Sequence, residues 1–355
     1  MKRNFLLLLF FIGGLVGNVF AQEQFSQVSQ WLDNHVDDMG GRAILMVYQD
    51  GKIVYSQAVN RMNNRQKILG KLIASRQGKI ADFSDYTPNS KQPIASCSKW
   101  LSAALIMTFV DESKLKLTDT VGRFLPVLSK NGKGAITIKQ CLSHTTGILS
   151  PDLRENLKEM RTVNSMDEAI EQIAQYPVEG QAGKVFRYSN TGLQIAGAVV
   201  EKISGKSFET LFAERIAWPL DMKNTDFGKT KVALPAGGAS STPNDYMNFL
   251  TMILNKGRFR EKQILSEKSI AEMQVNRITT EVKVAYSPAE AGGLGYGFGE
   301  WIMTDGAIGS PGLFGSFPWI NNDKKYCAFL MTFYLKTNGR QEKYVELRKQ
   351  IEASL

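Results

Sequence analysis

Ser96 and Lys99, in the stretch Pro93-Ile94-Ala95-Ser96-Cys97-Ser98-Lys99-Trp100-Leu101, are a hydroxyl and an amine three residues apart. On a helix that spacing puts both on one face about a turn apart, so they can touch. If Ser96 opens the helix, its hydroxyl meets the positive end of the dipole, where unsatisfied backbone N–H groups could receive an oxyanion. Lys99 points into a mostly apolar wall. Desolvation disfavours its ammonium, so a neutral amine could take the serine proton near neutral pH. Tyr188-Ser189-Asn190, between a flexible approach and a helical stretch, adds a second proton carrier. A nearby ammonium would draw Tyr188 toward phenolate, and Lys99 and Tyr188 could then divide the proton work between Ser96 and a leaving group. Asn190 offers an amide to orient Lys99 or to hold a substrate carbonyl. Each motif alone is weak: the first fixes two positions of four, and the second also suits an ordinary helix-entry turn. His144, after an apolar helical run, reads as a residue fixed by local hydrogen bonds rather than as a base.

Those residues need elements to hold them. Residues 23 to 38 carry Phe25, Val28, Trp31, Leu32 and Val36 at helical period and stop at Gly40-Gly41. Ile44 to Tyr48 and Ile53 to Tyr55 flank Asp50-Gly51, the signature of a hairpin. From about 60 to 90 the chain is polar, basic and weakly periodic, and is expected to be a long loop or insertion. The Ser96 helix continues to Val110. Ser165-Met166-Asp167-Glu168 has capping-box spacing, and Thr242-Pro243-Asn244-Asp245 starts another helix. Beyond Gly292 the period becomes that of strands: Gly295 to Gly299, Leu313 to Ile320 and Tyr326 to Tyr334, before an amphipathic C-terminal helix. This order predicts an α+β fold in which an antiparallel sheet is assembled from both ends of the chain, with a mainly helical lobe inserted. The expected organisation is one domain from residue 22, with an α/β lobe over about 22–110 and 260–355 and a helical lobe over about 111–259.

Composition narrows the class. Met1-Lys2-Arg3-Asn4, a short apolar core and Val19-Phe20-Ala21 read as a secretory signal over 1–21, cut after Ala21. That reading makes the protein periplasmic or secreted. No later run reaches membrane length. The formal charge is +9 in 355 residues, and Arg61, Arg65, Lys67, Lys71, Arg76 and Lys79 face no acid within 60–79. Without interleaved aromatics, that run reads as a solvated segment attracted to anionic surfaces rather than a nucleic-acid site. Cys97, Cys141 and Cys327 are odd in number and read as three buried thiols. Two histidines without ligand spacing, His35 and His144, argue against a metal.

Five stretches together resemble one family. Ile94-Ala95-Ser96-Cys97-Ser98-Lys99, Thr137 to Gly147, Tyr188-Ser189-Asn190-Thr191-Gly192, Pro219 to Thr225 and Pro235 to Ala239 resemble the serine β-lactamase and penicillin-binding superfamily. The nearest branch is the class C β-lactamase-related one, with its family VIII esterases, D-aminopeptidases and DD-peptidases. The resemblance implies Ser96 as the acylated nucleophile, Lys99 as its proton acceptor, Tyr188 as the second acid/base group and Asn190 as a substrate and lysine contact. A Lys-Thr-Gly or His-x-Gly triplet should border the site. Ser310-Pro311-Gly312 stands there instead, with serine in place of a cation and no N–H at Pro311. Gly312 could still admit substrate, and the Leu313 N–H could join that of Ser96 as an oxyanion hole. The resemblance therefore implies an exported serine hydrolase, free of metal and cofactor, acting on a small-molecule ester, amide or peptide-like substrate with a small acyl group rather than on carboxylate-bearing β-lactams. The rivals are a penicillin- or cell-wall-peptide-binding protein without turnover and an inactive scaffold. No G-x-S-x-G supports an α/β-hydrolase.

Overall fold

The computed structural model describes residues 24–355 apart from 77, 79 and 229; the expected signal segment 1–21 lies outside the described residues. Helix α1 (Ser26–His35) leads into β1 (Arg42–Gln49) and β2 (Lys52–Asn60), an antiparallel pair. Asp50 and Gly51 both have positive φ, 49° and 84°, the type I′ geometry that matches strand twist. Helix α2 spans Asn64–Arg76, where the sequence reading expected a loop. Its apolar Ile68, Leu69 and Leu72 stay exposed, so it has no buried stripe to betray it. The legible signal was the cap: Gln66 N–H donates to Asn63 Oδ1 and Asn63 N–H to Gln66 Oε1.

Helix α3 (Ser98–Asp111) is buried from Ser98 through Phe109, as expected of a helix apolar on every side. Helix α4 (Met166–Gln175), capped by Ser165, packs on α5 (Thr191–Ser204), ended by left-handed Gly205; α5 in turn packs on α3, as does α6 (Pro243–Leu254), capped by Thr242, through the Trp100–Phe249 ring pair. The chain then returns through β3 (Gly295–Tyr296), β4 (Trp301–Ile302), β5 (Ile308–Gly309), β6 (Phe317–Asn321) and β7 (Tyr326–Thr332) to α7 (Arg340–Ser354).

One seven-stranded antiparallel sheet results, in the order β2-β1-β7-β6-β5-β4-β3, so both ends of the chain meet at the β1–β7 pair. The alternation of β1 divides the core. Ile44 and Met46 pack with α3 and α6, whereas Ala43, Leu45 and Val47 pack with α1 and α7. Cys327, Phe329 and Met331 of β7 face the first cluster, and Tyr326, Ala328 and Leu330 the second. A sheet covered on both faces explains the near-continuous apolar runs of these strands. All three cysteines are free and buried. Among the described residues no helix is long and apolar enough to cross a membrane.

Candidate active site

Ser96 sits in the one-turn 3-10 segment Ala95–Cys97 that runs into α3. Ala95 is held at φ 46°, a strained conformation for a residue with a Cβ. Surrounding bonds enforce it. Ser98 Oγ donates to Ala95 O (2.6 Å) and accepts from Ala239 N–H (3.0 Å), while Tyr246 Oη donates to Cys97 O (2.7 Å). The serine is half-buried and opens onto a cavity of about 560 Å³.

Lys99, 1% exposed, brings Nζ to 3.3 Å from Ser96 Oγ, 3.3 Å from Asn190 Oδ1 and 2.7 Å from Ala236 O. Burial lowers its pKa to about 7. Asn190, at the start of α5, donates its amide to Asn156 Oδ1 (2.9 Å), which turns its oxygen to the lysine. Asn156 is buried and was not singled out from the sequence; it stands on the short helix Leu153–Met160, which carries no catalytic motif.

The Tyr188 ring lies 4.8 Å from Lys99 Nζ. Burial is the largest influence on its phenol and holds the pKa above its ordinary value, while the Ser96 hydroxyl acts in the opposite sense. This corrects the expectation of a phenolate: burial outweighs any pull from the Lys99 amine, itself only partly charged near neutrality, and the Tyr188 phenol stays protonated. Trp301 (5.1 Å), Tyr296 (5.9 Å) and His144 (4.8 Å) surround the tyrosine ring. His144 is buried, its Nε2 is 3.0 Å from Tyr296 Oη, and burial carries its pKa well below the usual imidazole value. It wedges the tyrosine rather than touching Ser96 chemistry. Tyr296 was legible only as a residue of a glycine-spaced strand, and Trp301, on the next strand, was not singled out.

Ser310 departs from its expected place as a substrate contact. It is buried, and its hydroxyl donates to Gly299 O (2.9 Å) with Ser96 O also in reach (3.2 Å), so it ties the Ser96 turn to the sheet. Gly312 is there for packing: a Cβ would meet Ile94 O at 2.3 Å and Cys97 Sγ at 3.1 Å. Pro311 and Leu313 do reach the cavity wall beside Ser96, Lys99, Tyr188 and Asn190. Leu294, Met303, Phe317 and Val345 give the wall apolar surface, and Glu290, Gln341 and Arg348 line the same cavity. Among the described residues no cluster of side chains could hold a metal.

A family model described as Beta-lactamase matches residues 29–352. Protein Rv1367c of Mycobacterium tuberculosis (strain ATCC 25618 / H37Rv) is 26% identical over 285 residues, 64% of this chain and 71% of that protein. A solved structure from Bacteroides dorei DSM 17855, whose beta-lactamase designation is provisional, superimposes with a TM-score of 0.75 at 27% identity, covering 92% of this chain and 97% of that one. EstCE1, a hydrolase with promiscuous acyltransferase activity, shares the fold with a TM-score of 0.73 at 18% identity, covering 94% and 99%.

Proposed function

This chain belongs to the beta-lactamase family, and from that premise we propose that it is a serine hydrolase that forms an acyl-enzyme on Ser96 and cleaves an ester or amide. One observation carries the reading: a buried amine with a pKa of about 7 stands 3.3 Å from an accessible serine hydroxyl. A neutral amine has two N–H groups and one lone pair. The Ala236 carbonyl and Asn190 Oδ1 can only accept, so they take the two N–H groups and leave the lone pair for Ser96.

Lys99 then removes the Ser96 proton as Oγ attacks the substrate carbonyl, and the oxyanion forms beside the Ser96 and Leu313 N–H groups. Tyr188, kept protonated by burial, delivers a proton to the departing alkoxide or amine and is reprotonated through Lys99. Water repeats the sequence on the acyl-enzyme, releasing the acid and free Ser96. The cavity of about 560 Å³, with Leu294, Met303, Phe317 and Val345 in its wall, suits an apolar acyl group and exceeds what a small one would fill. No side-chain cation stands at the Ser310 position, which weighs against a substrate gripped there by a carboxylate. The proposal keeps the signal at 1–21, a periplasmic or secreted location, and one catalytic domain built from an α/β lobe (about 22–110 and 260–355) and a helical lobe (about 111–259).

The test is intact-mass spectrometry of the mature protein and of Ser96→Ala after exposure to a fluorophosphonate, a short-chain p-nitrophenyl ester and a penicillin, with ester release followed alongside. Phosphonate labelling and ester turnover that both require Ser96 are expected. Labelling that survives in Ser96→Ala would sink the assignment, and a stable penicillin adduct without ester turnover would replace it with a binding protein.

A further inference from the structure

The loop from Gly312 to Gly315 is clamped from its buried side by a guanidinium. Arg340 opens α7 and is 1% exposed. Its Nη1 lies 3.4 Å from Gly312 O and 3.5 Å from Glu290 Oε1, and its Nη2 donates to Leu313 O (3.2 Å), Tyr334 O (3.2 Å) and Lys336 O (2.9 Å). The Tyr334 ring lies 4.6 Å from the guanidinium carbon. The Gly312 carbonyl also accepts from Gly315 N–H at 2.9 Å. Arg340 takes no part in the cavity wall, whereas Leu313 and Ser96 both do.

The peptide between Gly312 and Leu313 is trans. In a trans peptide the carbonyl of one residue and the N–H of the next point in opposite directions. Two donors therefore hold the Gly312 carbonyl toward the buried side and thereby aim the Leu313 N–H the other way, toward the cavity. Among the described residues that N–H has no acceptor. A cation on the carbonyl end of an amide also polarises it, which makes the N–H a stronger donor.

We propose that Arg340 is a positioning residue for acyl transfer: it aims and polarises the Leu313 N–H as a donor to the oxyanion that forms when Ser96 attacks. This role rests on the serine-hydrolase reading above.

The experiment compares wild type, Arg340→Gln and Arg340→Lys on a p-nitrophenyl ester and its thiono analogue, with thermal melts as a check on folding. Sulfur is a poor acceptor, so a working oxyanion donor shows as a strong preference for the oxygen ester. Arg340→Gln is expected to lower kcat about a hundredfold, in the range typical for a lost oxyanion donor, with KM within about threefold. Its oxygen-over-sulfur preference should collapse at least about tenfold, and Arg340→Lys should fall between. A purely structural role would lower the amount of folded enzyme and leave that preference alone. A folded variant that keeps the wild-type preference overturns the proposal; if the glutamine variant does not fold, the lysine variant decides. A wild-type preference no larger than that of alkaline hydrolysis overturns it without any variant. Loss is assigned differently if wild type shows no Ser96-dependent turnover, for then the hydrolase reading fails first and the role of Arg340 goes with it.

Discussion

Lys99 Nζ lies closer to the main-chain oxygen of Ala236, at 2.7 Å, than to Ser96 Oγ, at 3.3 Å. The amine is thus oriented by a carbonyl 137 residues away in the chain, before any substrate arrives. In the proposed mechanism its lone pair then needs no reorganisation at the moment of attack, which is the condition for an efficient proton acceptor.

With Lys99 titrating at about 7, kcat/KM for ester hydrolysis should rise with pH through about 7 and level off above it, because only the neutral amine accepts the proton. Asn190→Asp places a carboxylate 3.3 Å from Nζ and should move the inflection upward by about a unit or more. A stopped-flow pH profile of both proteins checks this, and a flat profile between pH 5 and 9 contradicts it.

The same burial should make Lys99 a liability for stability. Its folded pKa, about 7, lies below the ordinary 10.5, so between those values the unfolded chain binds more protons and stability rises with pH. Below about 7 the full penalty is in place. Lys99→Met should therefore melt higher than wild type at pH 6, with the gap narrowing by pH 9.5, while turnover is lost. Calorimetry at the two pH values decides; a gap that widens toward alkaline pH would reverse the argument.

If Tyr188 is the protonated donor, its removal should hurt most where the leaving group needs a proton. Tyr188→Phe is expected to slow an ethyl ester or an anilide by about a hundredfold or more, and a p-nitrophenyl ester by distinctly less. Equal losses on both substrates would place Tyr188 in Ser96 activation instead.

Gly312→Ala should destabilise by about 1–3 kcal/mol, because the new methyl meets the Ile94 carbonyl at 2.3 Å and the turn holding Ser96 must shift. Gly237→Ala, with nothing within 4 Å of its Cβ, is the matched control and should melt like wild type. Chemical denaturation of the pair, with ester turnover, tests both halves.

The sequence by itself determined the local elements and pointed to the candidate reacting set. Asp50-Gly51 fixed a hairpin, Ser165 and Thr242 fixed helix starts, and Ser96 and Lys99 stood one turn apart, because turns, caps and i to i+3 contacts depend on neighbours in the chain; Tyr188 entered through its motif and the family resemblance. It missed α2, whose stability signal lay in the Asn63–Gln66 cap and not in a buried stripe. Tertiary structure alone decided what those residues are chemically. Lys99 is depressed and Tyr188 raised because distant segments exclude water from both. The Ser310 hydroxyl turned to the carbonyls of Gly299 and Ser96, and Arg340 came to lie behind the Gly312–Leu313 peptide. Desolvation and long-range hydrogen bonding are properties of the packed neighbourhood, and no local pattern encodes them.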